Sequence, residues 1–179
     1  MIGVLVSGEG TNLQALIDAG LPLAAVASNT AGVSALERAD RAGLPTAVFA
    51  LADYGTREER DAAMAEWLAG HEVKLVVCAG YMHLLRQTFL ERFGGRVVNT
   101  HPAPLPDFPG AHPIEDALAA GVAETAATIH YVDEGVDTGR VICAERVPVL
   151  AGDTAQTLRA RVQAVEHRLL PRVVKELVG

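Results

Sequence analysis

Aromatic residues make up only 4% of the chain, although half of it is hydrophobic. A core must therefore be assembled from Ala, Val and Leu rather than from rings. Cysteine is rarer still. Cys78 and Cys143 both sit in apolar runs, and no Cys-x-x-Cys occurs. Two buried free thiols are expected, with no disulfide and no redox pair. Long hydrophobic runs are missing as well. Ile2–Val6 is too short for a secretory signal and has no basic flank, and no stretch is long enough to span a bilayer. A cytoplasmic protein is expected. Repeats, low-complexity segments and linkers are also lacking, so residues 1–179 read as one domain. The net charge of −7 argues against a general nucleic-acid or membrane surface. It leaves room for a small anionic ligand, because a few local donors can outweigh a distant net charge.

What is present is an alternation of strand and helix signals. Short apolar runs at 2–6, 23–27, 47–49, 73–79 and 96–100 predict strands. Between them, helices are expected near 13–17, 34–42, 57–69 and 87–92. Thr56 with Glu59 three residues on reads as a capping box, and Met64, Trp67 and Leu68 as an inner face. A helix at 114–120 follows. Then come two strands, 126–132 and 140–147, close enough in sequence to pair antiparallel. A last helix, capped by Asp153 or Thr154, should run to about Leu170 before Pro171, with 173–178 as an extension. The pattern predicts an α/β fold: a mostly parallel sheet, helices on both faces, and a C-terminal antiparallel hairpin plus helix. Ligands bind such sheets at the carboxyl ends of the strands. Loops 7–12, 80–85, 99–112 and 133–139 are expected to meet there.

The first of these loops, Gly8-Glu9-Gly10-Thr11-Asn12-Leu13, begins like a dinucleotide-binding turn. Leu13 occupies the third glycine position, and Ser28-Asn29 stands where a ribose-binding acid would be. Both tests for a dinucleotide fail, and no Gly-Lys-Ser/Thr follows. A glycine-rich turn opening a helix still suits one phosphate monoester. It equally suits a plain helix cap with Thr11 or Asn12 as N-cap.

Arg96–Gly110 is the most distinctive stretch. A short strand ends in Asn99-Thr100-His101, and four prolines follow within eight residues. Asn99 and His101 leave the same face of an extended segment, held by a stiff loop. Two such donors can meet a developing oxyanion, and His can exchange a proton near neutral pH. Both could also serve only to satisfy loop carbonyls. Asp137 lies in a glycine-flanked turn expected off the same sheet edge, where it would favour the charged, donating form of His101. Metal is disfavoured. His101, His112, His130 and Asp137 are the available ligands, but no His-x-x-x-His or His-Glu-x-x-His occurs, and His130 lies inside a strand pattern. No Gly-x-Ser-x-Gly elbow supplies a nucleophile.

Several stretches, in order, are similar to the phosphoribosylglycinamide formyltransferase family. They are Ser7–Ala15, Ala79-Gly80-Tyr81-Met82, Asn99-Thr100-His101-Pro102 with Leu105-Pro106 and Pro109-Gly110, Asp137-Thr138-Gly139, and Gln163-Ala164-Val165-Glu166-His167. The resemblance covers nearly the whole chain. It implies a Rossmann-like formyltransferase fold and direct transfer of a formyl group from 10-formyltetrahydrofolate to glycinamide ribonucleotide, with no covalent enzyme adduct and no metal. It further implies Asn99, His101 and Asp137 as the catalytic set. Gly10, Thr11 and Asn12 would hold the substrate phosphate, and Gln163, Ala164, Val165 and Glu166 would bind the same substrate, Glu166 through its ribose hydroxyls. Folate would be bound by Arg57, by Met82, His83, Leu84 and Leu85, by Asn99, and by Asp133, Glu134, Gly135, Val136 and Asp137. Small molecules are the implied partners, with no nucleic acid or membrane, and a homodimer is left open.

The chain departs from the family pattern at several points. His83 replaces a usual Arg, Ala103-Pro104 replaces Ser-Leu, and Asp107 is acidic where a base is frequent. Gly110–Ile114 leans toward methionyl-tRNA formyltransferases. Those enzymes would carry a C-terminal RNA-binding domain, and the formyltetrahydrofolate hydrolases an N-terminal regulatory one. Neither is expected here. A non-catalytic nucleotide-binding regulator would use the first loop but not the Asn99–His101–Asp137 set.

Overall fold

A computed structural model describes residues 1–179. Seven strands form one sheet: β1 (Ile2–Val6), β2 (Leu23–Ser28), β3 (Thr46–Val48), β4 (Leu75–Cys78), β5 (Val97–His101), β6 (Glu124–Tyr131) and β7 (Val141–Pro148). Their order is β3-β2-β1-β4-β5-β6-β7. The first five are parallel. The chain runs outward from β1 in one direction, then returns to β4 on its other side. This reversal opens a crevice at the carboxyl ends of β1 and β4.

Two apolar layers cover the sheet. On one face, Val4, Val77, Val98 and Ile129 pack against Leu13 and Leu16 of α1 (Thr11–Asp18), Ala35 and Ala39 of α2 (Ser34–Arg41), and Leu158, Leu169 and Val173 of α6 (Ala155–Val178). Ile114 of α5 (Pro113–Ala119) joins that layer. On the other face, Leu5, Val76 and Val97 meet Met64 and Leu68 of α3 (Arg57–Gly70) and Phe89 and Phe93 of α4 (Gln87–Phe93). The Thr56–Glu59 capping box is present. Trp67 is only half-buried, against Phe49. Cys78 is buried, which pushes its thiol up to about 12, whereas Cys143 is half-buried rather than buried. No helix is long and apolar enough to cross a membrane.

Three features differ from the sequence expectation. Helix α1 starts at Thr11, and its N-cap is Gly10, not Thr11 or Asn12. Gly10 has φ 74°, and a Cβ there would come within 2.6 Å of the Ala35 Cβ, so only glycine fits. Strand β6 is antiparallel to β5 as well as to β7. The end of β6 therefore lies beside Val98, and the 133–139 turn must fold back over the sheet to approach His101. Finally, α6 does not stop at Pro171 but runs through it to Val178. Val173 and Val174 beyond the proline are buried in the main core. Burying them, at about 1.5–3 kcal/mol each, outweighs the roughly 3 kcal/mol cost of an interior proline.

Pro171→Ala should therefore stabilise the fold by about 1–3 kcal/mol, since the helix gains a bond to His167 and the packing stays. Urea denaturation tests this, and a lower midpoint would show that the ring itself packs favourably.

Candidate active site

The crevice is a cleft of about 640 Å³. It gathers Ser7–Asn12 after β1, Cys78–Leu85 after β4, Asn99–Pro102 at the end of β5, Gly110 and Ala111 before α5, and parts of the β6–β7 turn. Gln163, Glu166 and Arg159 line it from α6. All four loops singled out in the sequence thus open onto one space.

At its centre is the Asp137 carboxylate. Its Oδ2 lies 3.4 Å from His101 Nδ1 and accepts the Gly110 amide at 2.9 Å. Its Oδ1 lies 3.5 Å from His130 Nε2. Burial works to raise the pKa of Asp137. Hydrogen bonds from His130 and Gly110, together with charge from both histidines, outweigh that and hold it below the ordinary carboxylate value. Asp137 itself has φ 53°. The turn that carries it is closed tightly, since a Cβ at Gly139 would overlap the Tyr131 carbonyl.

His101 Nε2 donates to the Phe108 carbonyl at 2.8 Å. With Nδ1 facing a carboxylate, both ring nitrogens face acceptors, and both are satisfied only when each carries a proton. The prolines keep the Phe108 carbonyl in place. Asn99 sits two residues earlier on the same face, its amide 3.2 Å from His130 Nε2. His130 Nδ1 donates to its neighbour's carbonyl, Tyr131 O, at 2.8 Å. His130 was read only as a strand residue and a poor metal ligand, yet it is the third member of this cluster. Its signal was register: Asn99 lies directly opposite His130 in the β5–β6 ladder. No group of three or more His, Cys, Asp or Glu has an arrangement that could hold a metal ion.

Thr100, on the opposite face of β5, donates to Glu166 Oε1 at 2.9 Å. Asn12 Nδ2 donates to Glu166 Oε2 at 3.3 Å, while Asn12 Oδ1 is buried without a partner. Burial pushes the Glu166 carboxyl up, and these two hydrogen bonds oppose the rise. Gly10, Thr11 and Asn12 present the free N-terminus of α1 to the cleft. Of the other expected residues, Met82, His83, Leu84, Leu85, Asp133, Gly135, Val136 and Gln163 line the cleft. Arg57, on the exposed first turn of α3, and Glu134 and Ala164 do not. Val165 is buried in the main core. Arg159 was not anticipated; it lines the cleft while paired with Glu115 at 2.6 Å.

Because Glu166 has a raised pKa in the fold, its ionised form is disfavoured there. Stability is therefore greatest below the unfolded carboxyl pKa and declines as pH rises through the folded value. Glu166→Gln should raise the melting temperature by a few degrees at pH 7, with Asn12 turning its unpartnered oxygen to the new amide. The advantage should shrink as pH falls through that range. A variant less stable than the wild type at pH 7 would overturn this.

Residues 1–174 match the formyl transferase family model. A phosphoribosylglycinamide formyltransferase of Mycobacterium tuberculosis (strain ATCC 25618 / H37Rv) is 46% identical over 97% of this chain and 83% of its own length. The solved phosphoribosylglycinamide formyltransferase of Streptococcus pneumoniae TIGR4 superposes with a TM-score of 0.96 at 45% identity, covering 99% of this chain and 98% of that one. The trifunctional purine biosynthetic protein adenosine-3 of Drosophila pseudoobscura pseudoobscura is 44% identical over 99% of this chain, which spans only 14% of that longer protein. With a family match over nearly its whole length and this cleft at the switch point of its sheet, the chain belongs to the formyl transferase family.

Proposed function

We propose that this chain transfers the formyl group of 10-formyltetrahydrofolate to the amine of glycinamide ribonucleotide, as a cytoplasmic step of purine synthesis. One observation carries the reading: the His101–Asp137 pair, 3.4 Å apart, opens onto the same cleft as the glycine-rich start of α1. Chemistry for a carbonyl and a seat for a phosphate thus share one space. The names borne by the relatives support the choice of substrates.

The amine attacks the formyl carbon, and the carbonyl oxygen becomes an oxyanion. That oxygen is a stronger acceptor than the Phe108 carbonyl and takes over the Nε2–H of His101. Asp137, held ionised, keeps the imidazolium oriented and its charge balanced. The Asn99 amide is the second donor to the oxyanion. The amine then loses its proton, the bond from the formyl carbon to the folate nitrogen breaks, and that nitrogen takes up a proton. Tetrahydrofolate and the formylated amide leave. The phosphate sits against the backbone amides at Gly10–Asn12, where the α1 dipole favours an anion. Glu166 keeps a free lone pair on each oxygen for ribose hydroxyls. The folate ring lies along Met82–Leu85 and the 133–137 turn, where Met82, Leu84 and Val136 expose apolar surface.

Purified chain given both substrates should release tetrahydrofolate, and little should appear without the amine. Release that ignores the amine would point to a hydrolase. His101→Ala and Asn99→Ala should each lower kcat by roughly a hundred- to a thousandfold. Asp137→Asn should lower it by a similar factor, while glycinamide ribonucleotide still binds in calorimetry. Near-normal turnover in His101→Ala would sink the assignment.

A further inference from the structure

The cleft carries a surplus of acidic side chains. Glu9, Asp133, Asp137 and Glu166 all line it, and Arg159 is the only lysine or arginine that does. A phosphate monoester brings about 1.5 to 2 further negative charges near neutral pH. The start of α1 offers it backbone amides and roughly half a positive charge. That provides hydrogen bonds but leaves most of the charge unbalanced, and the exposed Glu9 in the same turn works against an anion. Arg38 is tied to this turn from outside the cleft. It donates Nε to the Glu9 carbonyl at 2.8 Å and Nη1 to Gln14 Oε1 at 3.3 Å, and it does not line the cleft.

Arg159 is placed to supply the missing charge. Asn12, in the first turn of α1, donates to Glu166 at 3.3 Å, which sets α6 against the glycine-rich turn. Arg159, Gln163 and Glu166 follow the three-to-four spacing of one helix face, and all three line the cleft. The Arg159 guanidinium makes one hydrogen bond, from Nη2 to Glu115 Oε1 in the first turn of α5, at 2.6 Å. Its Nε and Nη1 donors have no partner in the protein. Both side chains of the pair are about half exposed, at 51% and 44%. An exposed pair of this kind holds its partners weakly, so the guanidinium can leave Glu115 for a doubly charged ligand at little cost. A guanidinium also matches two phosphate oxygens at once.

We propose that Arg159 is a substrate-binding residue whose guanidinium turns from Glu115 into the cleft and pairs with the phosphate of the substrate held at the start of α1. It supplies the positive charge that the glycine-rich turn lacks, and Glu115 holds the guanidinium at the rim until substrate enters. This rests on the reading of glycinamide ribonucleotide as the ligand of that turn.

Steady-state kinetics of the full chain with glycinamide ribonucleotide and 10-formyltetrahydrofolate test it. Wild-type turnover comes first. Its absence would overturn the function reading and this inference with it, whereas the variants bear on this inference alone. Arg159→Ala should raise KM for glycinamide ribonucleotide roughly ten- to a hundredfold, as expected for a lost hydrogen bond between charged groups. Because the phosphate lies away from the reacting carbon, kcat should stay within about twofold of wild type, and KM for the folate should not move. Alanine is the best helix former, so α6 keeps its fold in this variant. Glu115→Ala is the second arm. It breaks the same tie between α5 and α6 but leaves the cation in place, so KM for glycinamide ribonucleotide should stay at the wild-type value or fall. An unchanged KM in Arg159→Ala overturns the proposal. So does a rise in Glu115→Ala that matches the one in Arg159→Ala, which would make the pair a structural tie and nothing more.

Discussion

The Asp137 carboxylate is the contact on which the site depends. It ties together three pieces of chain: the end of β5 through His101, the amide of Gly110 at the close of the proline-rich loop, and His130 near the end of β6. Each of these partners has an acceptor or neighbour of its own, so the carboxylate organises a network rather than a pair. Its position depends on a turn in which one residue is left-handed and one glycine admits no side chain. The strain is local and modest, and the surrounding bonds hold it in place.

Strand β5 divides its labour by parity. Asn99 and His101 face one side, where the folded-back turn meets them. Thr100, between them, faces the other and holds Glu166 of α6. A strand alternates faces at every residue, so three consecutive side chains can reach the Asp137 cluster on one side and α6 on the other. The buried core on both sides keeps the strand from shifting register, which would exchange these roles. The stiff loop after it holds the Phe108 carbonyl against His101 and the Gly110 amide against Asp137.

Much of this was legible in the sequence. Strand and helix periods, the Thr56 cap and the loops at the strand ends came from local patterns. Asn99 and His101 could be singled out because two-residue spacing and a run of prolines are visible in one dimension. His130 was hidden because its function comes from the residue opposite it, and pairing partners are not written in local sequence. Pro171 misled for the opposite reason. Local chemistry says that a proline ends a helix, and only the burial of Val173 and Val174 on the sheet overrides it.

The sequence by itself therefore determined the α/β alternation, the glycine-rich turn that opens α1 and the candidate donors Asn99 and His101. Each of these follows from backbone preference or side-chain type within a few residues. Tertiary structure alone decided that β6 runs against β5, that the 133–139 turn returns over the sheet, and that His130 joins the site. Those outcomes depend on contacts between residues far apart in the chain, whose energies are set by burial and by the matching of donors to acceptors.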